Sequence, residues 1–201
     1  MKTQEQIEKI QAVVLYILQH FPNGVDYIKL FKIMYFAQRK YLSTYGLCLV
    51  EDTFKAFPKG PVPTLARKVL KMVEYENNFD ETVGLEDFAE SVRVVQVPKE
   101  CQPDQTIQMV YAKAAPDMDE IANMERKVLD ETIAEYKDVP SEELSDLSHK
   151  DKAYKKARHL MKKDPQQDRL TYIDIAWAGG ASEDVLEYIR ESEQIKRELA
   201  S

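Results

Sequence analysis

The chain has 201 residues, 44% hydrophobic and 31% charged, with a formal net charge of −7. That length fits one domain, and the apolar share is near the usual ~45–50% of globular chains, so a core can form. The acidic balance argues against nucleic acid as a partner, because that binding relies on Lys and Arg neutralising phosphates, and no apolar run approaches the ~20 residues that span a bilayer. The polar opening stretch Met1–Gln11 lacks the apolar run of a signal peptide, which predicts a cytoplasmic protein.

Ile7, Ile10, Val14, Ile17, Leu18 and Phe21 fall at helical spacing with polar residues between them. They predict an amphipathic first helix, ended by Phe21-Pro22-Asn23-Gly24. A second helix is predicted over Asp26–Thr44. Leu30, Ile33, Met34, Ala37, Tyr41 and Leu42 make one face, and Phe31, Tyr35 and Phe36 carry it almost all the way round. Such a helix is usually buried. Tyr45-Gly46 ends it, with Gly46 free to take a positive φ.

Residues 47–57 read as extended chain or short strands, and Pro63 suits the first position of a third helix carrying Leu65, Val69, Leu70 and Val73. Residues 75–90 read as an acidic connection with a short helical turn. Val92–Val97 predicts a strand and Ile107–Tyr111 its antiparallel partner, joined by a polar loop over Pro98–Thr106.

The helical period returns from Met118 through Ile121, Met124, Val128, Leu129, Ile133 and Tyr136, until Pro140. Ser141 is a candidate N-cap, with Glu142 and Glu143 near the positive end of the helix dipole. That short helix holds Leu144 and Leu147, and another runs over Asp151–Lys162. A charged loop, Lys163–Arg169, leads to Tyr172–Trp177, which Gly179-Gly180 breaks. Ser182 caps a last helix with Val185, Leu186 and Ile189, and beyond Glu191 the apolar spacing thins, predicting a frayed or protruding tail. The expected fold is mainly α with a small antiparallel β element, a single compact helical domain.

Signatures of catalysis are scarce. His20, His149 and His159 form no metal-binding spacing, and the chain holds no GxSxG elbow, phosphate-binding loop or dinucleotide fingerprint. Cys48 and Cys101 make no CxxC pair and read as free thiols in a reducing compartment. Hence no metal, cofactor or enzyme activity is expected. A hydrolase with a site near His149 is the rival reading of another class. The basic run Lys150–Lys163 reads first as a solvated helix face.

Phe57-Pro58-Lys59-Gly60-Pro61-Val62-Pro63 is the most distinctive local feature. Proline fixes its own φ and restricts the residue before it. The segment is either a rigid partner surface, cheap in entropy on binding, or a connector. The aromatic set Phe31, Tyr35, Phe36, Tyr41 and Tyr45 is either core or a docking surface, core being the simpler reading. Trp177 is expected to anchor the C-terminal segment to the core, interface hot spot being the other role.

Three blocks carry a family resemblance. The first is Lys29-Leu30, Lys32-Ile33-Met34-Tyr35-Phe36-Ala37-Gln38, Tyr41-Leu42, Tyr45-Gly46 and Leu49. The second is Phe57, then Gly60-Pro61-Val62-Pro63. The third is Leu144 to His149, then Tyr154 and Ala157. Over residues 28–161 the chain resembles the Panacea, or SocA-like, antitoxin domain, including phage-associated GepA-like proteins. Phe57 and Tyr154 stand where that family usually has tryptophan, and Lys40 and Lys59 where an aromatic is frequent. Residues 170–199 would form a C-terminal helical extension.

The resemblance implies a non-catalytic antitoxin that binds and neutralises a protein toxin encoded nearby. One branch of the family instead delivers its toxin to the ClpXP protease, the alternative reading. Some relatives carry an added DNA-binding domain, for which this chain has no obvious basic segment. The resemblance and the stiff segment together name Phe57, Lys59, Gly60, Pro61, Val62, His149 and Tyr154 as candidate partner-binding residues.

Overall fold

A computed structural model describes residues 3–75, 85–99 and 102–199. Cys101 and residues 76–84 of the acidic connection lie outside the described residues. Helix α1 (Gln4–Leu18) opens on a capping box in which Thr3 and Gln6 satisfy each other's backbone N–H. Its first half is amphipathic as expected. From Ala12 to Leu18, however, every residue is buried, because other elements pack around that half.

Strand β1 (Val25–Asp26) leads into α2 (Tyr27–Tyr45), the axis of the fold. Asp26 caps α2 by accepting from the N–H groups of Ile28 (2.8 Å) and Lys29 (3.1 Å). Gly46 ends it at φ 70°, and a Cβ there would lie 2.7 Å from the Tyr188 ring. Every residue from Leu30 to Gln38 is buried. Phe31, Tyr35, Phe36 and Tyr41 of the aromatic set are therefore core, and Tyr45 is half-buried.

Strand β2 (Phe54–Phe57) pairs antiparallel with β3 (Gly60–Pro63), which ends at α3 (Thr64–Tyr75). Pro63 thus closes a strand opposite Phe54 and does not open the helix. The cap of α3 comes from the distant Asp52, fully buried, which accepts from Leu65 N–H at 3.0 Å and Ala66 N–H at 3.1 Å. Nothing in local spacing signals a cap supplied from twelve residues upstream of Thr64.

After α4 (Leu85–Glu90) come β4 (Val92–Lys99) and β5 (Gln102–Ala112), an antiparallel ribbon. The expected loop Pro98–Thr106 is mostly strand, since Pro98 pairs with Thr106 and Lys99 with Gln102. Helix α5 (Asn123–Tyr136) starts five residues after Met118. The segment before it is a turn, with Ile121 N–H on Met118 O at 3.2 Å, and Ile121 is buried there without being helical.

Helices α6 (Ser141–Lys150) and α7 (Lys152–Met161) follow, α7 capped by Asp151. Pro140 takes the cap position of α6, so Ser141 is its first residue and its hydroxyl donates to Asp26 instead. Strand β6 (Arg169–Leu170), α8 (Tyr172–Ala178) and α9 (Glu183–Leu199) complete the chain. Ile175 and Ala176 anchor α8, while Trp177 is 47% exposed with the Lys152 ammonium 4.9 Å from its ring centroid. The expected anchoring role of Trp177 is thus filled by its neighbours. Helix α9 continues past Glu191 to Leu199 with residues 194–199 exposed, and Lys196 pairs with Glu51 at 2.6 Å.

The strands form two antiparallel sheets, ordered β1-β5-β4 and β3-β2-β6. One hydrophobic cluster joins residues from α1 to α9 around α2. The fold is mainly α with small antiparallel sheets, as the sequence predicts. Among the described residues, no helix is long and apolar enough to cross a membrane.

Candidate partner-binding site

The proline-rich segment is a tight hairpin. Phe57 pairs with Gly60, leaving Pro58 and Lys59 at the turn. Pro58 presets the φ of the first turn position, and Gly60 takes φ +103°, where other residues are strained. A Cβ on Gly60 would also lie 2.1 Å from Ser148 Oγ and 2.6 Å from Lys32 Cε. Helices α2 and α6 therefore press directly on the hairpin backbone.

The same helices, with α7, hold the hairpin by its carbonyls. Lys32 Nζ donates to Pro61 O at 2.9 Å and Ser145 Oγ to Lys59 O at 3.0 Å. Tyr154 Oη donates to Phe57 O at 2.8 Å, and Arg158 reaches Ala56 O at 3.4 Å. A backbone loop fixed at that many points has little freedom left to lose.

Lys32 is the costliest of these anchors. It is 1% exposed, and burial lowers its ammonium to about 7, the Asp26 carboxylate opposing the shift. On the same helix, Arg39 pairs at 2.8 Å with Asp151, whose side chain is fully buried. Asp151 also accepts from Ala153 N–H (2.8 Å) and Tyr154 N–H (3.2 Å), which orients the turn carrying Tyr154. Burial, reinforced by Asp151, pushes the Tyr35 hydroxyl well above the usual phenol range.

The seven candidate residues fall into distinct places. Lys59 is exposed, and no carboxylate pairs with it among the described residues. Phe57 is half-buried under the Arg67 guanidinium, 5.0 Å from its ring centroid. Gly60, Pro61, Val62 and Tyr154 are buried. His149 is half-buried and stacks on Tyr154 with ring centroids 5.1 Å apart, its Nε2 without a hydrogen-bond partner among the described residues. All seven thus gather at the hairpin.

Beside the turn lies a groove of about 380 Å3 lined by Lys59, Tyr27, Ile28, Ile107, Lys99 and Glu142, among others. A second groove, about 350 Å3, runs between the end of α2 and α9 and includes Cys48. Burial pushes the Cys48 thiol up to about 11, which leaves it a poor nucleophile. No group of His, Cys, Asp and Glu among the described residues is placed to hold a metal ion.

Residues 30–155 match the family described as Antitoxin SocA-like, Panacea domain. The chain belongs to this family. Comparison with curated proteins gives no match, and neither does comparison with solved structures. The matched span holds Lys32, Arg39, the hairpin, Ser145, Asp151 and Tyr154, so the Panacea domain contains most of the framework that fixes the turn. It leaves out α1, α8, α9 and Arg158.

Sequence reasoning did not assign Lys32, Asp52, Ser145 and Asp151 their structural roles. Lys32 had a signal: a cation flanked by Phe31 and Ile33 on a helix apolar nearly all round. Ser145 and Asp52 had none, since their partners are far away in sequence.

Proposed function

We propose that the protein is the antitoxin of a toxin–antitoxin pair and neutralises a cognate protein toxin by direct binding in the cytoplasm. The observation that carries this reading is the hairpin turn. Its carbonyls are held from inside by Lys32, Ser145 and Tyr154, while the Lys59 side chain stands exposed with no carboxylate partner among the described residues. A rigid turn with a free charge is suited to protein recognition. In this reading Lys59 and the exposed edge of Phe57 touch the toxin, and His149 lies nearby. Gly60, Pro61, Val62 and Tyr154 support the turn from below. The whole chain acts as one unit, because the cluster around α2 takes in α1, α8 and α9 as well as the Panacea span.

The test is co-expression with the product of the adjacent reading frame. That product should arrest growth alone, be neutralised by this chain, and co-purify with it. Rescue without a detectable complex would contradict direct binding.

A further inference from the structure

The acidic balance of the chain does not extend to α7. Seven Lys and Arg residues fall between Lys150 and Lys163, against one carboxylate, Asp151, which is buried and paired with Arg39. Ala153, Tyr154 and Ala157 turn inward, while Lys152, Lys155, Lys156, His159, Lys162 and Lys163 are exposed. The helical turn runs on past Met161, with Lys162 in αR conformation and Lys163 N–H on Leu160 O at 2.9 Å. At 3.6 residues per turn these exposed residues lie within an arc of roughly 120°, in a row roughly 15 Å long.

Nearby carboxylates leave most of this charge in place. Asp174 takes Lys156 at 2.7 Å, Asp168 pairs with Lys55, and Asp164 accepts from Gln166 N–H and the Gln167 amide. Lys152, Lys155, Lys162 and Lys163 have no carboxylate partner among the described residues. Helix α7 itself contains no Asp or Glu. Lys152 with Lys155 and Lys156, Lys155 with Arg158, and Arg158 with Lys162 are like charges three or four residues apart, which works against the helix. Lys152 also stands at the positive end of the helix dipole. The face is therefore unfavourable alone and gains from an external anion.

An aromatic ring borders the row. Trp177, the only tryptophan of the chain, is exposed on α8 beside the Lys152 ammonium, and the packing of α8 is done by Ile175 and Ala176. Lysine meets phosphate as a point charge, whereas protein interfaces are depleted in lysine. A helix lying on a membrane needs a free apolar face, and that of α7 is buried. An exposed tryptophan among cations is a stacking platform for unpaired bases.

We propose that the α7 face binds single-stranded nucleic acid, with backbone phosphates along Lys152, Lys155, Lys162 and Lys163 and a base stacked on Trp177. This is a further activity and does not rest on the antitoxin reading.

The chemistry is common to RNA and DNA, so the test titrates the full chain with oligouridylate and oligothymidylate of about fifteen nucleotides. Binding of either supports the proposal, and the tighter one names the source. Because Trp177 is the only tryptophan, its fluorescence should be quenched as the strand binds. Three or four phosphate contacts give a slope of log affinity against log salt of about −2 to −3, or about twenty- to fiftyfold between ~50 and ~200 mM. By anisotropy of a labelled strand, the double variant Lys155→Glu/Lys162→Glu should bind at least about tenfold more weakly with roughly half that slope. Trp177→Ala should lose about tenfold with the slope unchanged. Thermal denaturation checks that each variant folds; should one not, quenching and salt slope in the wild type decide. Absence of binding at ~50 mM salt, binding that leaves Trp177 emission unchanged, or full affinity in the folded double variant overturns the proposal. So does tighter binding of a duplex, of polyglutamate or of anionic phospholipid vesicles, each of which would assign the face to that partner.

Discussion

Replacing Lys32 with methionine should flatten the dependence of folding stability on pH. Lys32 is 1% exposed, and burial brings its ammonium from the ordinary 10.5 down to about 7. In the unfolded chain it keeps its proton up to 10.5. Between those values the unfolded state binds more protons than the folded state, so stability rises with pH. Below about 7 both states are protonated, and the cost of burying the cation is present in full. Working the titration from about pH 7 to about pH 9 gives a gain of about 2 kcal/mol. The window closes near 9 because Cys48 runs the other way. Burial raises its thiol from 9.0 to about 11, so the stability it contributes is lost as pH climbs between those values. The assay is urea denaturation of wild type and Lys32→Met across the window. Wild type should gain about 2 kcal/mol and the variant less than about 0.5 kcal/mol. The variant also leaves Pro61 O without its donor, which lowers stability at every pH and leaves the slope alone. Equal slopes in the two proteins would refute a buried, titrating Lys32.

Three further outcomes follow from the packing. Met34→Ala, at a fully buried position on α2, should cost about 2–5 kcal/mol in denaturation. Gly60→Ala should cost at least about 2 kcal/mol, from positive φ and the crowding of Ser148 and Lys32, and should weaken partner binding in the calorimeter. Asp52→Ala should cost about 1–2 kcal/mol by thermal denaturation, because it strips this side-chain cap from α3 and leaves Leu65 and Ala66 N–H groups without that acceptor.

The helices were legible wherever period and punctuation agreed. Asp26, Gly46 and the long apolar run between them define α2 almost to the residue. Boundaries failed where a partner distant in sequence overrode the local signal. Pro63 reads as a helix start, but Thr64 N–H donates to Thr53 O at 2.9 Å, which prolongs the strand, and Asp52 does the capping. The stretch Pro98–Thr106 reads as loop because its sequence is polar, yet Pro98 pairs with Thr106 and Lys99 with Gln102. Trp177 misled through its size, since the small Ala176 beside it is the buried residue. At the site, the stiffness of the proline segment was readable. Its anchoring by Lys32, Ser145 and Tyr154 was not, because those contacts span 29, 86 and 97 residues of sequence.

The central claim is that a toxin docks on the exposed charge at the hairpin turn. Calorimetric titration of the adjacent gene's product into wild type and Lys59→Glu tests it most directly, with urea denaturation of both as the folding check. Reversing an exposed charge should leave stability within about 0.5 kcal/mol. Affinity should fall about thirtyfold, equivalent to about 2 kcal/mol, as for a central interface contact. Wild-type affinity in a stably folded Lys59→Glu protein would contradict the account and move the toxin surface away from the turn.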